Sequence, residues 1–375
     1  MNALNLAAII EHCKRQQDIQ ATPRQWQVLH HITDCRTAAM GGQHYACPTC
    51  QHHWTWYHSC RDRHCPQCQG HASQQWCEKQ QSQLLPVPYF HLVFTLPHEL
   101  NTWIGQHGRC LYRLLFQSCW NSLKTLGERK LKGQLGMTAV LHTWGQQLTR
   151  HVHLHCLVPA GSLKYQARWH THNKNYLLPV KALSNRFRGQ MVSRIREAWQ
   201  QGLLASVSKN EINQQLNRLM QKPWVVYSKS ALHYRKTLVN YLARYTHRIG
   251  LSNGRILGWN ENQVTLQYLD YKDSGGSKCL KLAPQELVRR FLLHVLPKGF
   301  MRIRHYGYLA NAIKAKRLAC IRRQIKPQHK KQQPEQTENQ PTLRCCPNCQ
   351  SPISRMAAYT PENESSNTIK AINSS

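Results

Sequence analysis

The ten residues Arg150–Pro159 constrain the fold more than any other stretch of this chain. Histidines at 151, 153 and 155 alternate with Val152, Leu154 and Cys156, and Pro159, Ala160 and Gly161 close the segment. A period of two predicts a strand with imidazoles on one face and aliphatic side chains on the other. Side chains two apart on one face are close enough for a pair of imidazoles to hold one divalent ion. A single such histidine would suit an ordinary polar strand face; the threefold repetition favours metal binding.

The flanking pattern predicts a sheet around that strand. Tyr89–Pro97 is short, apolar and closed by proline, as a buried strand should be. A helix follows over about 99–126, with Leu111, Leu114, Leu115 and Leu123 at core spacing and Cys110 and Cys119 as core residues. Gly136–Trp144 reads as a second strand, and Gly145 as the turn of a hairpin into the histidine strand. Gln146, just upstream, could present its amide oxygen to the same ion. Residues 165–235 read as basic and helical, with Arg186, Arg188, Arg194 and Arg196 grouped, and Pro223–Tyr227 as a third strand. Over 237–248 a helix is predicted, stopped by Gly250 and Asn253-Gly254, with Tyr241 and Tyr245 one turn apart on one face. Strands at 254–259 and 263–271, a helix around 284–294, and an alternating strand with Arg302, Arg304 and His305 complete the ordered part.

Charge and cysteine usage narrow the class. The chain of 375 residues carries 50 Lys+Arg against 17 Asp+Glu, a net charge of +33, which makes nucleic acid the expected partner. No run approaches the length of a membrane span, and Leu4–Ile10 lacks the flanks of a signal peptide. Seven of the 16 cysteines lie between Cys35 and Cys77, an arrangement that predicts thiolate metal sites in a reducing, cytoplasmic setting rather than disulfides. Cys47-x-x-Cys50 and Cys65-x-x-Cys68, about fifteen residues apart, have the spacing of one structural zinc site, leaving Cys35, His44, Cys60 and His64 spare for a second ion. Arg61 and Arg63 between them are candidate phosphate contacts, and Trp54, Trp56 and Tyr57 could stack bases or pack a core. Before this region, residues 1–34 read as one or two amphipathic helices, the second starting at Pro23 after Thr22. A polar helix is predicted over 74–83. From about 322 the chain reads as a flexible tail holding one knuckle, Cys345-Cys346-Pro347-Asn348-Cys349, with no evident second half, and 357–375 as disordered. No internal repeat is apparent.

In order, the cysteine knuckles, Tyr89–Pro97, Thr143-Trp144-Gly145-Gln146 leading into His153-Leu154-His155, and Tyr241-Leu242-Ala243-Arg244-Tyr245-Thr246-His247-Arg248 resemble the two-tyrosine HUH transposases. The resemblance is to insertion-sequence family ninety-one, rolling-circle elements of bacteria. It covers roughly 35–315, including Phe291–Pro297 and Arg302–Gly307, and departs from the usual pattern at Val152, where a proline is common. It implies an α+β fold: an HUH endonuclease domain with a central antiparallel sheet flanked by helices, preceded by a small Cys-rich zinc-binding domain. The implied divisions are 1–84 (helical and zinc-binding), 85–260 (nuclease), 261–321 (basic extension) and 322–375 (tail). His153 and His155 would hold Mg²⁺ or Mn²⁺, with Gln146 as a third donor, and Zn²⁺ would sit in the cysteine cluster. Tyr241 and Tyr245 would be the nucleophiles, and Arg61, Arg63, Arg244, Arg248, Arg302 and Arg304 would contact DNA. The implied activity is cleavage and rejoining of single-stranded transposon ends. A plasmid or phage replication initiator or relaxase with the same chemistry is the alternative enzyme, and a non-catalytic zinc-dependent DNA-binding protein the alternative class. Zinc knuckles ahead of the nuclease and the absence of a Walker-type loop favour the transposase.

Overall fold

The computed structural model describes residues 3–68, 78, 82–172, 177–232, 250–270, 275–325, 345–351 and 354–359. The helices predicted at 74–83 and 237–248, and hence Tyr241, Tyr245, Arg244 and Arg248, lie wholly or mostly outside them.

The centre is a five-stranded antiparallel sheet built from β3 (Tyr89–Thr95), β4 (Gly136–Trp144), β5 (Arg150–Pro159), β8 (Val226–Leu232) and β12 (Ile303–Gly307), in the order β12-β4-β5-β3-β8. The histidine strand is therefore central, paired on both sides. The turn at Gly145–Leu148 makes β4 and β5 the predicted hairpin, Gly145 N–H donating to Thr149 O at 2.9 Å. Phe90, Leu92 and Phe94 of β3, Met137, Ala139 and Leu141 of β4, and Val152, Leu154, Cys156 and Val158 of β5 all point to one face. That face is covered by the helices α3 (Asn101–Leu131) and α4 (Val180–Gln200), through Leu111, Leu115, Phe116, Cys119, Leu123, Phe187 and Ile195. Burying one apolar face of the sheet against helices is what commits the alternating strands to this register, since a one-residue slip would send the imidazoles into the core. α5 (Lys209–Gln221), capped by Ser208, extends the same core through Ile212, Leu216 and Leu219. The stretch after 165, read as helical, begins instead with a short hairpin of β6 (Gly161–Leu163) and β7 (Trp169–Thr171).

A second core joins the N-terminal helices to a later sheet and helix. α1 (Leu6–Arg15) and α2 (Pro23–Asp34) pack with the sheet of β9 (Ile256–Trp259), β10 (Val264–Asp270) and β11 (Gly276–Leu282) and with α6 (Pro284–Leu292). Thr22 and Gln25 form a reciprocal capping box at the start of α2, with Pro23 in the first turn. Leu6 N–H donates to Asn253 Oδ1, and Gln25 Nε2 to Leu292 O.

Two tail assignments are corrected. Residues read as linker from 322 are the end of a helix, α7 (Lys314–Gln324), whose Leu318 and Ile321 are its buried side chains. The segment read as disordered from 357 begins inside a strand, β13 (Ser354–Tyr359), which pairs antiparallel with β1 (Gly42–Ala46); β1 in turn pairs with β2 (His53–Tyr57). No helix among the described residues is long and apolar enough to cross a membrane.

Candidate metal centres

The face of the sheet opposite the helices gathers imidazoles. His142 on β4 stands directly opposite His153 on β5, and β3 places Thr95 opposite His153 and His91 opposite Leu157. Paired residues share a face. The ligand nitrogens of His142, His153 and His155 lie within 4.8 Å of one another. His153 Nε2 and His155 Nε2 are 3.0 Å apart. His153 Nδ1 lies 2.9 Å from the His151 carbonyl, and because a carbonyl only accepts, that nitrogen carries the proton. Burial, with a smaller effect of His151, pushes His153 down to about 4, so the ring is neutral at pH 7 and its Nε2 is a bare lone pair. His155, 9% exposed, is pushed well down by burial and by His142. Its Nδ1 lies 2.9 Å from His91 Nε2, with the two rings stacked at 11°. His91 is itself buried and pushed down to about 4 by desolvation, then by Lys229. His142 stacks on Trp144 and meets His155 edge-on at 4.5 Å between centroids. Neutral imidazoles with outward nitrogens converging on one point are what a divalent cation requires.

Gln146 sits in the turn beyond Trp144, where its backbone carbonyl accepts from Arg255 Nη2; among the described histidines, cysteines and carboxylates, His142 is the residue that joins His153 and His155. His151, on the same strand face, is exposed and outside the group. His142 and His91 were not anticipated, although the β4–β5 hairpin predicted at Gly145 brings His142 opposite the histidine strand. Tyr241 and Tyr245 lie outside the described residues.

The cysteines form two tetrads, not the single set Cys47, Cys50, Cys65 and Cys68 that their spacing suggested. Cys35, Cys60, Cys65 and Cys68 make one, and Cys47, Cys50, Cys346 and Cys349 the other. In the first, Cys68 Sγ lies 3.5 Å from Cys35 Sγ and 3.6 Å from Cys60 Sγ, too far for a disulfide and near the roughly 3.8 Å edge of a ZnS₄ tetrahedron with 2.3 Å bonds. Burial pushes the Cys35 thiol up to about 12, and the bond from Cys65 drives the Cys60 thiol up as well. Four crowded sulfurs keep their negative charge only around a cation. His44 and His64, considered as spare ligands, are engaged elsewhere: His44 Nδ1 meets Thr55 Oγ1 at 2.8 Å, and His64 Nδ1 meets Asp62 at 2.8 Å while its Nε2 accepts Leu296 N–H.

The candidate arginines divide in the same way. Arg61 is exposed, whereas Arg63 Nη1 donates to Phe300 O at 2.7 Å. Arg302 is half-buried and pushed down to about 10 by desolvation and then by Arg63. Arg304 lies 4.4 Å over the Phe116 ring, and in the grouped set Arg188 and Arg196 bond to Lys222 O and Asn217. A cavity of about 1020 Å³ beside β12 is lined by Arg109, Arg113, Arg150 and Arg304 and by no carboxylate; the imidazole group does not line it. Trp54 stacks on Tyr45 and His52, and Trp56 is 49% exposed.

Thiolate tetrads beside an imidazole-bearing antiparallel sheet, in so basic a chain, define a metal-binding protein that handles nucleic acid. Comparison with known proteins names the kind. Residues 136–338 match the Y2 transposase family, described as "Putative transposase", and residues 7–96 match the IS91-type transposase zinc-binding domain. The y4qJ protein of Sinorhizobium fredii, given the same description, is 38% identical over 318 residues, covering 82% of this chain and 80% of its own. The transposase for insertion sequence element IS801 of Pseudomonas savastanoi pv. phaseolicola is 30% identical over 309 residues, covering 74% of this chain and 68% of its own. No solved structure matches. The chain belongs to the IS91-type transposases, which act on DNA by strand cleavage and transfer, and its cysteine-rich part is a zinc-binding domain.

Proposed function

We propose that this transposase cleaves and rejoins single-stranded DNA at transposon ends through 5′-phosphotyrosine intermediates, with Tyr241 and Tyr245 as nucleophiles and His142, His153 and His155 as the ligands of a divalent ion. The observation that carries the reading is the convergence of His153 Nε2 and His155 Nε2, 3.0 Å apart on the central strand, with His142 beside them. Three imidazoles suit Mn²⁺ better than Mg²⁺. When bound, the ion supplies a Lewis acid for a non-bridging oxygen of the scissile phosphate. The protein's part is to hold that phosphate and to deliver a phenolate. A phenol with a pKa of about 10 needs nearby positive charge to ionise at neutral pH, and Arg244 and Arg248 flank the tyrosines in sequence. The phenolate oxygen attacks phosphorus, the P–O3′ bond breaks, and the 3′ oxygen leaves and takes a proton. The phosphotyrosine conserves the bond energy, so rejoining consumes no nucleotide. A second tyrosine four residues along the chain allows one cleaved end to be held while another strand is attacked, which suits strand transfer better than simple nicking. The cavity lined by four arginines and no carboxylate supports a path for the DNA backbone on the same body.

The test is an adduct assay with labelled single-stranded end DNA. The wild type should form a denaturation-resistant protein–DNA adduct that EDTA abolishes and Mn²⁺ restores. Tyr241→Phe combined with Tyr245→Phe should bind the DNA and form none, and His153→Ala should form at least about 100-fold less. An adduct in the double tyrosine variant would sink the assignment. DNA binding with no adduct under any metal would favour a non-catalytic binding protein.

A further inference from the structure

We propose that Cys47, Cys50, Cys346 and Cys349 hold a second structural zinc ion, and that this ion clamps the C-terminal tail onto the cysteine-rich unit. The residues matched to the zinc-binding domain end at 96, so two of these ligands lie far outside it.

The geometry meets the demands of such a site. Cys47 Sγ and Cys349 Sγ are 3.4 Å apart, and Cys50 Sγ and Cys346 Sγ 3.6 Å, across sequence separations of 302 and 296 residues. No disulfide joins any of the four. Sulfurs from distant parts of a chain have no reason to converge so closely by packing alone, since crowded thiolates repel.

The two half-sites are also copies of one another. Cys47-Pro48-Thr49-Cys50-Gln51 and Cys346-Pro347-Asn348-Cys349-Gln350 share the pattern Cys-Pro-x-Cys-Gln, which occurs a third time at Cys65–Gln69. In the first copy Cys47 N–H donates to His52 O at 2.9 Å and Gln51 N–H to Cys47 O at 3.0 Å. In the second, Cys346 N–H donates to Ser351 O at 2.8 Å and Gln350 N–H to Cys346 O at 2.9 Å. Both glutamines are left-handed, at φ 52° and 61°. Each knuckle turns a backbone N–H onto its first sulfur: Cys50 N–H onto Cys47 Sγ and Asn348 N–H onto Cys346 Sγ, each at 3.4 Å. Asn348 Nδ2 reaches across to Cys50 Sγ at 3.6 Å. Donors aimed at sulfur favour the thiolate, the form that binds a metal.

Each knuckle supplies two ligands, so neither can close a tetrahedron alone. The tail knuckle read from sequence as lacking a second half finds it at Cys47 and Cys50. Beyond the ligands, β13 extends the ribbon as a third strand, with Gly42 opposite Tyr359 and Ala46 opposite Ser354. A single three-stranded edge interaction is a weak anchor, whereas a bound ion adds four metal–sulfur bonds to it.

The experiment uses the full chain and reads zinc content and tail retention, neither of which depends on the tyrosines or imidazoles. Metal analysis of the purified wild type against Cys346→Ser/Cys349→Ser should show a loss of one zinc per chain; the difference cancels any zinc on the histidines. In parallel, a specific protease site is inserted between Gln332 and Gln340 and cleaved. The C-terminal piece should co-elute with the body on gel filtration, separate on addition of a chelator, and separate without one in the serine variant. Unchanged zinc content in the variant would overturn the proposal. So would a tail piece that stays bound after all zinc has been removed.

Discussion

Replacing His91 by leucine tests whether the sheet face is built for an ion. His91 meets the group through His155, whose Nδ1 lies 2.9 Å from its Nε2. For His155 to offer a bare Nε2, its proton must sit on Nδ1 and be accepted by His91. Leucine fills similar space in the buried site but accepts nothing. The stranded N–H then favours moving the proton to Nε2, which removes the ligand, or rotating the ring. Loss of such an orienting partner costs about 10–100-fold in metal affinity, or about 1.4–2.7 kcal/mol. The assay is Mn²⁺ binding followed by its electron-spin signal, with a Mn²⁺ titration of adduct formation alongside. The midpoint should move to higher Mn²⁺ by that factor while the plateau at saturating metal is largely kept. His91→Gln, which restores an acceptor, should recover part of the shift. An unchanged midpoint in a His91→Leu protein of wild-type melting temperature would refute the reasoning, as would a plateau that collapses with the midpoint in place.

Other consequences are open to measurement. His294 is buried and His305 half-buried, and desolvation pushes both down to about 4, so the unfolded chain takes up their protons near pH 6.5 while the folded protein does not until about 4. Their contribution is complete above pH 6.5 and declines as pH falls towards 4; urea midpoints should drop across that window, and His305→Leu should flatten the slope by up to about 1.4 kcal/mol per pH unit. Gly307 has φ of +61°, and an added Cβ would fall 1.7 Å from Leu135 O, so Gly307→Ala should cost at least about 2 kcal/mol and lower the melting temperature by roughly 4 °C or more. A melting temperature within a degree of wild type would show that the β12–β4 edge yields more easily than its geometry implies.

What the sequence made legible was whatever is determined locally. The alternation over Arg150–Pro159 names the strand with its correct ends, and Pro97, Gly145 and Pro23 mark boundaries through backbone chemistry that operates within a few residues. Even the imidazole group was partly legible, because a tight turn at Gly145 fixes the partner of His153. The cysteine pairing was not. A Cys-Pro-x-Cys knuckle is locally complete, so nothing within it says which other knuckle it faces, and the short gap between Cys50 and Cys65 invited the wrong union. The helix Lys314–Gln324 escaped for a related reason: Leu318 and Ile321 alone face the core among basic residues, so its pattern resembles that of a solvated tail.

The two kinds of centre divide the chemistry by ligand softness. A thiolate tetrad uses all four positions of a tetrahedron on protein sulfur, so substrate oxygen has no place to enter and the ion serves the fold. Three imidazoles leave positions open to phosphate oxygen and water, and neutral nitrogen holds a harder ion less firmly than sulfur holds zinc. The centres should therefore come apart under mild chelation. The imidazole ion should leave first, taking cleavage with it while the thiolate sites and the cores around them persist. That ordering follows from ligand type and number alone.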